Sequence, residues 1–528
     1  MSSIEIRTTS EARAIGERIS AFLDNRDPKG ALSLVDVLVG DEQLVTHARA
    51  LAFTECGRQM KDRDLVLKGV AAWASLLGKT LDAEYNLANA EQTLWDLAID
   101  GQDFVTAMEN EHKRLERARL LHRGVAENES LPQRVRLQAA VNLGNSYDLM
   151  GRELDAMEAW SLATRIDPDF AMARGNIGTA LLAVARYVGE HRSTVIREAA
   201  SNLDFALARP DELVRFGGSE ALKHFKKARA RIKVASSDSA KSSPGSEATW
   251  PSGYFGWCRK NELFLHVSHR CLRVDTKLLD PLFFARLNAR SLDEGEERMN
   301  DLVDAFNAIK QAYATARYTA WLAISQADAQ REELKEARRR IAFLDTLSYT
   351  RFGVRTGLAV QAFSAATNVL DQVASFLHLY LETGRNFRGV YFRTLWHKRR
   401  NRVMEPAFVT RLQRSGHLNR GLLALCDLAS DLEQDTLLAQ LVDRRHAATH
   451  RFLVLHDFRL EQGEGPWVDR ESWARFCDEL LAVLRIARSA IVYLVRTVDI
   501  EESRTKHGEG LVLELPLSLM PDDLAELD

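Results

Sequence analysis

At 528 residues the chain is longer than one hydrophobic core ordinarily serves, so two or three domains are expected. A composition of 46% hydrophobic and 27% charged residues excludes a disordered polyelectrolyte and leaves enough apolar surface for packed cores. The formal net charge of −3 leaves any polyanion partner to be argued from local clusters. Eleven prolines and long stretches rich in Ala, Leu, Arg and Glu predict helix throughout. The opening MSSIEIRTTSEAR lacks an apolar h-region, which argues against a secretory signal, and no run reaches the roughly 18 apolar residues needed to span a bilayer. The five cysteines are odd in number and scattered, as reduced thiols are, and no C-x2-C pair supports a zinc site. The expectation is a cytoplasmic protein with no membrane association, no metal and no cofactor.

Residues 1–233 read as stacked helix pairs. In residues 137–170, Leu143, Gly144 and Tyr147 fall in a first helix, Ala156, Trp160 and Ala163 in a second, and Pro168 closes the unit. Small residues stand where two helices cross closely and large ones fill between them, which matches the roughly 34-residue TPR pattern. The run NIGTA at residues 176–180 starts a further unit in the same register, and YNLANA at 85–90 resembles another first helix. A TPR-like array is expected, with a protein or peptide ligand as its natural partner.

Residues 234–252 are dominated by serine, glycine and proline and read as a flexible linker. The aromatic-dense run YFGWCRKNELFLH at 254–266 is expected to pack, and helical periodicity resumes over residues 293–344. Three strong helices follow, at residues 356–383, 437–455 and 473–499, with Gly384 as a natural terminator of the first. No segment alternates long enough for a sizeable sheet. The fold class is all-α: a TPR-like array, then an antiparallel helical bundle over residues 253–505 with its core at about 350–500, then an acidic tail at 506–528.

No Gly-rich phosphate loop, G-x-S-x-G elbow or H-E-x-x-H is present. The densest polar cluster is DRRHAATHR at residues 443–451. Arg445 stands five residues before His450, pairing a fixed cation with a group that titrates near neutral pH. Such a pair suits RNA transesterification, in which an imidazole takes the proton of a ribose 2′-hydroxyl and a guanidinium stabilises charge on the phosphate. The spacing is not specific: Arg117/His122, Arg186/His191 and Arg451/His456 share it. The first two lie in the array, where a surface charge is the plainer reading. His446 and His450 also stand four apart, as in a two-histidine metal pair, but Ala447 occupies the place where a hydrolase would want Glu.

Residues 385–420 carry Arg385, Arg388, Arg393, Lys398, Arg399, Arg400, Arg402, Arg411, Arg414 and Arg420 against one acid, Glu405, with Phe387, Tyr391, Phe392 and Trp396 interleaved. Cations neutralise phosphates and aromatic faces stack on bases, so Arg393, Lys398, Arg399, Arg400 and Arg402 are candidates for binding single-stranded RNA. The alternative is a solvated face whose aromatics belong to the core.

Four stretches in order, Y-x2-W-C-x2-N-x-L-F-L at 254–265, LDQVASFL at 370–377, NRGLLAL at 419–425 and RHAATHRFL at 445–453, resemble the HEPN domains of a bacterial group in which the domain follows TPR-like repeats. The resemblance spans about residues 254–500 and is what singles out Arg445/His450 among the four pairs. It implies a metal-independent endoribonuclease with Arg445 and His450 catalytic, a homodimer through the C-terminal domain that pairs two motifs in one cleft, and a role as a toxin or antiviral effector. The family motif usually carries a small polar residue, most often Asn, directly after its Arg; this chain has His446, which is expected to take that part. The alternative is a scaffold without catalysis that binds RNA or a protein.

Overall fold

Five of the first six helices start where a short polar side chain satisfies the first free backbone N–H groups. Thr8 and Glu11 form a reciprocal capping box at α1 (Thr9–Asp24), and Asp27, Asp41, Asp62 and Asp103 cap α2 (Pro28–Asp36), α3 (Glu42–Met60), α4 (Arg63–Ser75) and α6 (Phe104–Glu127). Between these lie β1 (Ile4–Ile6), β2 (Leu38–Gly40) and α5 (Ala83–Gly101); β1 and β2 pair in parallel. The computed structural model describes residues 3–232, 250, 252–273, 276–284, 287, 292–325, 328–344, 349–398, 403–413, 418–433, 438–458 and 468–504. The expected linker, except Trp250 and Ser252, and the acidic tail lie outside the described residues.

The array continues with α7 (Gln133–Leu149), α8 (Glu153–Ile166), α9 (Ala171–Val184), α10 (Arg192–Leu207) and α11 (Pro210–Ala230), and from α3 onward each helix packs on the next. The unit at residues 137–170 is a helix hairpin, α7 against α8. Its crossing needs glycine: a Cβ on Gly144 would stand 2.3 Å from Nε1 of the buried Trp160.

The C-terminal half opens with a short α12 (Tyr254–Lys260) that buries Cys258, followed by buried Leu263, Phe264, Leu265 and His266. Three long helices dominate: α13 (Leu292–Ile324), α15 (Val354–Leu381) and α19 (Trp473–Arg504). Each packs on the other two. α14 (Asp328–Arg339), α16 (Pro406–Leu412), α17 (Arg420–Ser430) and α18 (Ala439–His450) fill the sides. The protein is all-α, with two small sheets among the described residues. The second sheet joins β3 (Thr350–Arg351) antiparallel to β4 (Phe452–His456), and β4 parallel to β5 (Val468–Ser472).

The structure corrects two expectations about helix ends. The helix expected over 437–455 stops at His450, because Arg451 is extended (φ −129°, ψ −163°) and the β-favouring run FLVLH pairs as strand β4. The helix expected to end near Gly384 closes earlier, at Leu381, with Glu382 in the left-handed region (φ 51°).

One hydrophobic cluster runs from Trp95 through Val498, so the array from α5 onward and the C-terminal bundle share a core. α17 sits at their junction. Gly421 lets it lie against α19, since a Cβ there would be 2.4 Å from the Thr497 backbone nitrogen. Asn419 caps α17 through Leu422 N–H and donates to Thr497 O and Glu501. Arg420 reaches back to Asp148 and Glu153 of the array. The NRG triplet is thus accounted for by packing.

Candidate active site

Two neighbouring arginines on α18 do opposite things. Arg444 is buried and held by Glu479 at 3.0 Å, Asp469 at 2.9 Å and Glu471 at 2.5 Å, which ties α18 to β5 and α19. Burial works against its charge, but these three carboxylates prevail and raise its pKa. Arg445 keeps 33% of its side chain exposed. Its Nη2 donates to Asp371 Oδ2 at 2.6 Å and to Asn368 Oδ1 at 3.3 Å, both on α15. The other oxygen of Asp371 accepts from the backbone N–H of Phe392 at 2.9 Å. One carboxylate therefore fixes the guanidinium of α18 and the loop at residues 391–394 together.

Arg445 lies at the edge of a cleft of about 560 Å³. Leu370, Leu432, Leu441, Val483 and Ile486 form most of its apolar lining, and Asn368, Asp371, Tyr391 and Arg393 line it with Arg445. Arg393, drawn from the basic stretch, and Arg445, drawn from the Arg-x4-His pair, thus line one cavity.

His450 is the last residue of α18 and His446 is one turn before it; the placement of both side chains lies outside the described residues, as do Arg399, Arg400, Arg402 and Arg414. Lys398 is exposed and its backbone N–H donates to Val403 O. Within the basic stretch, Phe392 and Trp396 are core residues, whereas Phe387 and Tyr391 are exposed. Arg385 pairs with Glu405, Arg411 with Glu501 and Arg420 with Asp148, so these three belong to the fold's own ion pairs.

The competing Arg-x4-His pairs are occupied by structure. His122 is buried, contrary to the expectation of a surface charge, and burial pushes its pKa down to about 3; Arg117 pairs with Glu91. Arg186 pairs with Asp499 of α19, and His191 Nδ1 lies 3.1 Å from Nε2 of His266. In the fourth pair Arg451 is exposed beside buried His456 on β4, not on a helix.

Sequence reasoning missed a buried clamp between the array and α17. Asp427 receives His112 Nε2 at 2.6 Å, Arg119 Nη1 at 2.8 Å and Arg152 Nη1 at 3.0 Å, and Arg152 also bonds Asp431. The Arg119 and Arg152 guanidiniums stand 4.5 and 4.6 Å from the centre of the Tyr147 ring. Burial opposes charge on His112, yet its hydrogen bonds to Asp427 and Glu116 overcome it and raise its pKa to about 10. The signal was present: two aspartates four apart in the apolar run LLALCDLASDL demand buried cationic partners. Leu432, which lines the cleft, directly follows Asp431.

Residues 294–501, which include α17, α18 and the cleft, match the model of the LA2681-like HEPN family. The chain carries a HEPN domain. That domain contributes all the residues of the cleft, and the helices before residue 294 supply the cationic side of the clamp. No curated protein matches the chain. Among the described residues no helix is long and apolar enough to cross a membrane, and no group of three or more His, Cys, Asp or Glu is placed to hold a metal ion.

Proposed function

We propose that the chain is an endoribonuclease of the HEPN type, acting in the cytoplasm without a metal. The observation that carries this reading is Arg445, oriented by Asp371 at the edge of a nucleotide-sized cleft in a HEPN domain. In the proposed reaction the ribose 2′-oxygen attacks the adjacent phosphorus and His450 takes its proton. Arg445 stabilises the charge that develops on the phosphoryl oxygens, the bond to the 5′-oxygen breaks, and that oxygen takes up a proton. The products are a 2′,3′-cyclic phosphate and a 5′-hydroxyl. His446 supports the motif in place of the family's polar neighbour.

Arg393 and Lys398, with Arg399, Arg400 and Arg402, supply affinity for the RNA backbone. Two domains pair so that both motifs face one cleft, the helical array receives a protein or peptide that sets activity, and the biology is that of a toxin or antiviral effector. The test is gel analysis of RNA incubated with purified protein. Cleavage is expected, ending in a cyclic phosphate, with loss in Arg445→Ala and His450→Ala. Full cleavage by His450→Ala sinks the assignment.

A further inference from the structure

The cleft beside Arg445 has two unlike parts. Its apolar lining is Leu370, Leu432, Leu441, Val483 and Ile486, which are buried. Its polar lining includes the Arg445–Asp371 ion pair together with Asn368, Thr394 and Arg393, which are exposed, and Tyr391, which is 51% exposed. The volume of about 560 Å³ falls within the range of small-molecule sites, roughly 300–1,000 Å³. A bare phosphate has no use for the apolar interior, and an apolar ligand has no use for two guanidiniums at the edge. A nucleotide uses both, with its flat base inside and its phosphate against the cations.

We infer that this cleft is a base-specificity pocket contained within one protomer: it seats the base of a single unpaired nucleotide whose phosphodiester lies at Arg445 and Arg393. Tyr391 supplies a stacking face. Asn368 reads the base edge, because its carbonyl oxygen accepts from Arg445 while its amide hydrogens remain on the same rim. A base can enter only when it is unstacked, so the substrate is single-stranded or looped RNA, and the residues around the cut are selected by the cleft and not by pairing. The inference rests on the ribonuclease reading for its phosphate, but the pocket itself is tested separately.

The experiment uses the full chain. The four nucleoside 3′-monophosphates are titrated by calorimetry, and cut sites are mapped on a single-stranded RNA of mixed sequence. Thr394→Trp fills the cleft from an exposed loop position and is not expected to disturb the core; Tyr391→Ala removes the stacking face; thermal melting checks that both remain folded. Each is expected to weaken mononucleotide binding by at least about tenfold, and Asn368→Ala is expected to change which base flanks the cut. If folded Thr394→Trp binds all four nucleotides as the wild type does, or cuts RNA at unchanged sites and rates, the pocket assignment is overturned while the nuclease reading stands. If the wild type binds a nucleotide and Thr394→Trp blocks it, yet no RNA is cut, the pocket stands and the nuclease reading falls.

Discussion

The cleft and the clamp use the same residue types for opposite purposes. In the clamp, Arg119, Arg152 and His112 surround carboxylates that are almost wholly buried, and each polar group is spent on another. At the cleft, Asp371 holds Arg445 and leaves it partly exposed to solvent. Burial decides which arrangement can act on a ligand. A charge sealed among its counter-charges stabilises an interface, whereas one anchored at one edge can still meet a phosphate. The adjacent pair Arg444 and Arg445 repeats the lesson within one helical turn.

The largest effect expected from breaking this contrast is on the clamp. Asp427→Ala leaves three buried cations without their shared counter-ion and should cost about 3–5 kcal/mol in urea unfolding. A loss below about 1 kcal/mol would mean that the network is not sealed. Arg445→Ala should do the reverse. Its ion pair is one-third exposed, so stability should change by no more than about 1 kcal/mol, while cleavage should fall by about 10²–10³-fold. Equal losses of stability and cleavage would erase the distinction between the two regions.

How much of this was legible beforehand depends on whether the cause was local. The hairpin at residues 137–170 was readable because Gly144 and Trp160 meet within one unit. The end of α18 was not, since PHE-LEU-VAL-LEU at residues 452–455 suits a helical stripe as well as a strand, and its partners β3 and β5 lie outside the window. Arg445 was legible through its motif, whereas Asp371, in the second half of a long helix, acquires its role only when α15 and α18 pack together. The basic run shows the limit of counting charges. Arg385 is committed to Glu405, the run's one acid, and Arg411 and Arg420 to carboxylates far along the chain, Glu501 and Asp148.

A milder perturbation is pH. His112 has its pKa raised from 6.5 to about 10 in the folded protein, so its contribution is complete below about pH 6.5 and is lost as pH rises towards 10. His122 is depressed to about 3, so its neutral burial contributes fully above about pH 6.5 and is lost as pH falls towards 3. Burial opposes charge on Asp427, but Arg119 and His112 hold its pKa below the usual carboxylate range, which adds to the loss in acid. Opposing slopes are expected on the two sides of neutrality. In chemical denaturation, His122→Phe should flatten the acid side, and an unchanged acid slope would mean that His122 is not buried neutral. The smallest effect is expected at Arg117→Ala, which breaks one half-exposed pair with Glu91 and should leave RNA cleavage within about twofold of wild type.

The clamp joins His112 to Asp427 across 315 positions of sequence. At a synthesis rate of roughly 5–20 residues per second, the array waits about 15–60 s between making its cations and receiving the carboxylate that neutralises them. During that interval His112 and Arg152 have only their local carboxylates, Glu116 and Asp155, on a surface destined for the core. The segment that follows Asp427 brings Leu432, Leu441 and Arg445 in turn, so the anchor is synthesised before the wall of the cleft that it supports. The order of synthesis thus lets the newly made chain secure α17 before the last residues of the cleft have been made.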